Sequence, residues 1–156
     1  MRVFCDLEET LITNWHDAIL TNVSRVSGWI TEHNVTEIEI FSFACWNEAD
    51  RDYFNTTMKE MIERAFKIKV TRVWTVEEIR RIVLLHLCAQ FDVREFISVW
   101  GKKRAFIEFC DATFKDEVCV LLDDCVPNIT TINHDKNLKV ECVKVAWQKP
   151  LRSLKE

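Results

Sequence analysis

Strand-like and helix-like segments alternate along this chain, and that alternation constrains the fold more than any other feature. Residues 2–6, RVFCD, are a short apolar run ending in a carboxylate. Residues 14–33 carry Trp15, Ile19, Val23, Val26 and Ile30 at helical spacing, with Thr13 or Asn14 as N-cap. EIEIFSF at 37–43 reads as a strand, and 48–65 returns to helix with Tyr53, Met58, Met61, Ile62 and Ala65 inward. FKIKVTRVW at 66–74 alternates as a third strand. Thr75 and Glu78 form a capping box for a helix to about Phe91, and Asp92 caps a further helix to about Trp100. Gly101 breaks it, and KKRAFIEFCDATF is helical again. VCVLL at 118–122 is the uninterrupted apolar run of a strand buried on both faces, and KVECVKVAW at 139–147 is the last strand. The expected fold is α/β: a three-layer, Rossmann-like parallel sheet with helices on both faces. Sheets of this kind place their sites outside the carboxyl ends of the strands.

Composition narrows the class. The 156 residues are 48% hydrophobic and 29% charged, enough apolar material for one core and too much for a disordered chain. No composition break or repeat divides them, so the expectation is a single domain over 1–156 with a frayed tail from about Lys149. No apolar stretch approaches the ~20 residues of a membrane helix, and MRVFCDLEE lacks the pattern of a secretory signal. The seven Cys include no CxxC pair, which disfavours structural zinc and fits free thiols packed as small hydrophobes in a reducing, cytoplasmic setting. A net charge of -4 gives no general attraction to nucleic acid or membranes. Arg64, Lys67, Lys69, Arg72, Arg80 and Arg81 read as a solvated rim. The chain has neither GxxxxGK[ST] nor GxGxxG. His86, inside an apolar helix, reads as a hydrogen-bonded core residue, and Trp46 is a candidate for stacking on a base.

The chemistry is written at the strand ends. The first strand ends at Asp6 and the VCVLL strand at Asp123-Asp124. Carboxylates loaded onto two neighbouring strand ends repel, and a hard divalent cation resolves that repulsion. The alternative is that these acids sit in separate, wet loops.

VFCDLEETLI at 3–12 resembles motif I of the haloacid dehalogenase-like (HAD) phosphohydrolase superfamily, a strand followed by Asp-x-Asp-Gly-Thr-Leu. Asp6, Thr10 and Leu11 fall on its first Asp, its Thr and its Leu. VCVLLDDCVPN at 118–128 resembles motif IV, with Asn128 in a further acidic-or-Asn position. Ser42 resembles the Ser/Thr of motif II, and Lys102 or Lys103 the lysine of motif III. The resemblance spans residues 3–128 and implies a Mg²⁺-dependent phosphatase. In it Asp6 is the nucleophile. Asp6, Asp123 and the backbone carbonyl of Glu8 hold Mg²⁺, with Asp124 orienting the metal's water or the lysine. Ser42 and Lys102 or Lys103 stabilise the phosphoryl oxygens, and Glu8 acts as acid and base. No cap domain fits between these segments. Open sites of capless members commonly serve macromolecular phosphates or are covered by a neighbouring subunit, so a nucleotide or polymer phosphate and a homo-oligomer are the partners implied.

Two positions depart from the motif. Glu8 replaces the usual Asp and is one methylene longer. Glu9 replaces the usual Gly and puts a Cβ and a charge in a tight turn, which is costly where φ is positive. These departures keep a second expectation open: a catalytically degenerate HAD-fold protein acting as a binding module.

Overall fold

The structure, a computed structural model, describes residues 1–125 and 139–145, with the side chains at 99, 100, 102 and 103 outside that description. Five strands, β1 (Arg2–Cys5), β2 (Glu37–Phe41), β3 (Lys69–Trp74), β4 (Cys119–Asp123) and β5 (Val140–Lys144), form one sheet in the order β3-β2-β1-β4-β5. Every neighbouring pair is parallel. Helices cover both faces, so the three-layer α/β architecture expected from the alternation is present.

One face is covered by α1 (Val23–Glu32), α2 (Glu48–Thr57) and α3 (Lys59–Phe66). Their Val26, Ile30, Phe54, Ile62 and Phe66, with Met58 between α2 and α3, pack on Val3, Cys5, Ile38, Ile40 and Leu122. The other is covered by α4 (Val76–Leu87), the short α5 (Val93–Glu95) with the π-helical turn Phe96–Trp100, and α6 (Lys102–Thr113). There Phe4 is the hub: its ring meets Phe106 at 5.1 Å, Phe109 at 6.0 Å and Phe41 at 6.2 Å, all edge-on. Such pairs add to the burial of the rings themselves.

Two of the cap signals read from the sequence, Thr75 and Asp92, are made. Thr75 Oγ1 accepts from the Glu78 N–H while Glu78 Oε1 accepts from the Thr75 N–H. Asp92 Oδ1 accepts from the Glu95 N–H at 2.8 Å.

Four local expectations are corrected. Helix does not run from Asn14; it starts at Val23. Asn14 caps only a turn, its Oδ1 accepting from the Asp17 N–H, after which Ala18 turns left-handed at φ 50°. The stretch 48–65 divides at Met58 into two helices, and Tyr53 is 47% exposed while its neighbour Phe54 is the residue buried. Cys88 and Cys125 are exposed, although Cys5, Cys45, Cys110 and Cys119 are buried as expected. His86 is hydrogen-bonded but lies at the surface rather than in the core.

No helix among the described residues is long and apolar enough to cross a membrane.

Candidate functional site

The chain leaves β1 for β2 on one side, and β4 pairs with β1 on the other. The crevice between the carboxyl ends of β1 and β4 is therefore the topological switch point, where open α/β sheets bind ligands. Register decides which residues stand there. Cys5 pairs with Leu122, so the next residues outward are Asp6 and Asp123. The Asp6 N–H donates to the Leu122 carbonyl at 3.0 Å, which extends the pairing to the last step before the site. Both acids are buried, Asp6 to 3% exposure and Asp123 to 0%.

The loop after β1 is held by its own apolar residues. Leu7, Leu11 and Ile12 are fully buried, and the N–H groups of Leu11 and Ile12 both donate to the Leu7 carbonyl. That tight turn is why a segment of seven residues can stay packed against the strand tips. The carboxylates of the two strand ends are aimed by backbone donors: Asp6 Oδ1 accepts from the Leu7 N–H at 2.8 Å, and Asp123 Oδ1 from the Cys125 N–H at 3.1 Å. Thr10, wholly buried, ties the two strand ends together, its Oγ1 accepting from the Asp124 N–H at 3.1 Å.

The result is a carboxylate cluster. One oxygen each from Asp6, Asp123 and Asp124 lie within 4.8 Å of one another. Burial, hydrogen bonds to Asp123 and Glu9, and the charges of Asp123 and Asp6 push the Asp124 carboxyl up to about 7. Cys5, directly behind, is pushed far up by burial and by the charges of Asp6 and Asp123, so it is an inert thiol. Buried Asp6 and Asp123, whose charges help hold a proton on Asp124, create a repulsion that a bound cation would relieve. An all-oxygen donor set suits a hard ion of the Mg²⁺ class rather than a soft one. The residues fit such an ion by donor type.

The other expected residues divide. Ser42 follows β2, the other neighbour of β1, and is buried; its Oγ accepts from the Ala44 N–H at 3.1 Å. Glu8 is not part of the cluster: its Oε2 accepts from the Trp15 N–H at 2.8 Å, which pins the turn at 14–17. Lys102 opens α6, which runs back to β4 and so begins toward the carboxyl edge of the sheet. The side chains of Lys102 and Lys103 lie outside the described residues, as does Asn128.

Two residues were missed as participants. Glu9 takes φ 62°, the left-handed conformation that favours Gly, and its carboxylate hydrogen-bonds Asp124. The substitution of the motif Gly marked the strain but not the contact. Asn22, 1% exposed, donates its side-chain amide to the carbonyls of Glu9 at 2.9 Å and Thr10 at 3.2 Å. No local pattern marks it, because it acts on a segment twelve residues earlier in the chain. An open groove of about 1010 Å³ lies along Arg80, Arg81, Leu84 and Phe91 and includes none of these acids.

The chain matches no protein-family model, no curated protein and no solved structure.

Proposed function

We propose that this protein is a Mg²⁺-dependent, HAD-like phosphohydrolase that cleaves phosphomonoesters through an aspartyl-phosphate on Asp6. The observation that carries it is the meeting of Asp6, Asp123 and Asp124 at the switch point, with their oxygens within 4.8 Å.

Asp6 is aimed by the Leu7 N–H and sits on a tip fixed by strand pairing, so its carboxylate is presented with little freedom to lose. Attack on phosphorus forms an Asp6–phosphate bond and releases the substrate alcohol; water then cleaves that bond and returns the carboxylate. Asp123 and Asp124 would share the cation with Asp6, which when bound offsets the repulsion between carboxylate and phosphate and polarises the phosphoryl oxygens. Ser42 accepts from Ala44 and keeps its own hydroxyl proton to donate to a phosphoryl oxygen. Glu8 supplies the proton to the leaving alcohol and removes one from the attacking water. In the protein its Oε2 accepts from the Trp15 N–H, which anchors the carboxylate within the loop after β1. Lys102 or Lys103 supplies the positive charge. Among the described residues no cap covers the site, and the exposed rings of Trp46 and Tyr53 favour a nucleotide or a polymer end as substrate, in the cytoplasm, with a second copy as a cover.

A second reading has its own observation. Glu9 adds a fourth carboxylate, bonded to Asp124, at the place where phosphate must enter. That favours a degenerate member that keeps the fold for binding. Incubation with an aryl phosphate and Mg²⁺ separates the two. Hydrolysis that disappears in Asp6→Asn supports the enzyme. Hydrolysis that persists removes Asp6 as nucleophile, and silence across a broad panel of phosphomonoesters leaves the binding protein.

A further inference from the structure

A second convergence of donors lies away from the strand tips, on the helical layer of the opposite edge. α4 and α6 pack side by side, and His86 near the end of α4 faces Glu108 and Asp111 of α6. His86 Nε2 and Asp111 Oδ2 are 2.7 Å apart. Glu108 and Asp111 are three residues apart on one helix, so they share a face one turn apart. One ligand atom from each of the three lies within 4.8 Å of the others.

The placement of Glu108 is unusual for a surface seam. It is 5% exposed and stands between Ile107 and Phe109, both fully buried in the aromatic layer. A carboxylate is costly there without company, and Glu108 has an interaction partner within the protein that an ion would join or displace. The imidazole comes from a different helix, 25 residues away in sequence, so the three donors meet through tertiary packing and not through one local acidic run.

We propose that the α4–α6 seam binds a zinc-class divalent ion through His86, Glu108 and Asp111, separately from the strand-tip carboxylates. One imidazole nitrogen and two carboxylate oxygens form a borderline donor set, suited to Zn²⁺ and unlike the all-oxygen set at the strand tips. Zn–N and Zn–O bonds of about 2.0–2.1 Å in a tetrahedron hold ligand atoms about 3.3 Å apart. The His86–Asp111 pair must open by roughly half an ångström and the wider contacts must close, movements that side-chain torsions supply. The Nε2 proton passes to Nδ1, leaving the Nε2 lone pair for the ion. Water takes the fourth position, since the imidazole is at the surface.

The test uses the full chain after dialysis against a chelator, titrated with Zn²⁺ by calorimetry and followed by ¹⁵N spectra of the imidazoles. The expected result is saturable binding that shifts the His86 ring nitrogens, weakened about 100-fold or more by His86→Ala or Asp111→Ala and unchanged by Asp6→Asn with Asp123→Asn. Glu108→Gln keeps the shape of the buried side chain and should weaken binding without unfolding, checked by circular dichroism. Undiminished binding in His86→Ala would overturn the proposal. So would loss of binding in the strand-tip variant, absence of binding, or a Co²⁺ spectrum with a thiolate charge-transfer band.

Discussion

Glu9 offers the sharpest measurement of how this site is built. Its φ of 62° places a Cβ-bearing residue in the left-handed region, at a cost of roughly 1–2 kcal/mol. Its carboxylate also hydrogen-bonds Asp124 and helps push that group up to about 7. Glu9→Ala removes only the charge, and Glu9→Gly removes both charge and strain. Glycine recovers the left-handed cost but gives back about 0.5–1 kcal/mol in unfolded-chain freedom. The Gly variant should therefore exceed the Ala variant by about 0.5–1 kcal/mol, which in a domain of this size is roughly 1–4 °C in melting temperature. Scanning calorimetry at one pH, without divalent ions, reads the difference. Both variants should also lower the Asp124 titration seen by carboxyl NMR, and by the same amount, because the bond from Glu9 is lost in each. An Ala variant as stable as the Gly variant would refute the strain. An unmoved Asp124 would refute the contact.

Three further outcomes follow from the same contacts. Phe4→Ala should cost about 3–5 kcal/mol in urea denaturation, since its ring meets Phe41, Phe106 and Phe109 in a dry layer; a loss under about 2 kcal/mol would mean that the layer closes over the gap. Burial would raise Glu78, but the Thr75 backbone N–H, the charge and hydrogen bond of Arg51 and the Thr75 hydroxyl outweigh it and hold the carboxyl below its usual value. The stability it supplies is present above the ordinary carboxylate range and lost as pH falls through it, so Glu78→Gln should flatten that part of an acid-denaturation curve. Divalent affinity at the strand tips should rise with pH up to about 7 and level off, because burial and its acidic neighbours keep a proton on Asp124 that competes with the cation; Asp124→Asn should abolish the dependence in a Mg²⁺ or Mn²⁺ titration, and a flat wild-type profile would exclude the competition.

The sheet was legible in the sequence because burial writes itself into strands. CVLL at 119–122 has no polar residue to show solvent, and β4 is buried at every position from Cys119 to Asp123, with the expected first residue, Val118, exposed outside it. Alternation then fixed the parallel order of layers, and the acids at two strand ends marked the site. The stretch 14–22 was not legible, and the reason is physical. Trp15 and Leu20 pack against the core from a folded loop, and an apolar residue covering a core looks the same in sequence whether a helix or a turn carries it. What breaks the helix is backbone geometry at Ala18 and Asn22, both left-handed, and the Thr13 N–H bond to the Ile19 carbonyl. None of these has a composition signal as clear as Gly or Pro. The Glu9–Asp124 contact was hidden for a related reason: it joins residues at opposite ends of the chain, and only the register of β1 on β4 brings them together.

That register also explains why the departures from the motif need not undo the site. Asp6 and Asp123 are placed by hydrogen bonds of the sheet itself, and Thr10 and Asn22 secure the loop through backbone groups of Asp124, Glu9 and Thr10. None of these contacts uses the side chain of Glu8 or Glu9. The positions that bring the carboxylates together are thus separate from the positions that differ from the motif. Changes at Glu8 or Glu9 would leave the carboxylate crevice standing. Metal affinity and turnover are for that reason independent measurements here, and a protein that binds Mg²⁺ at the strand tips without hydrolysing phosphate is a coherent outcome of this architecture.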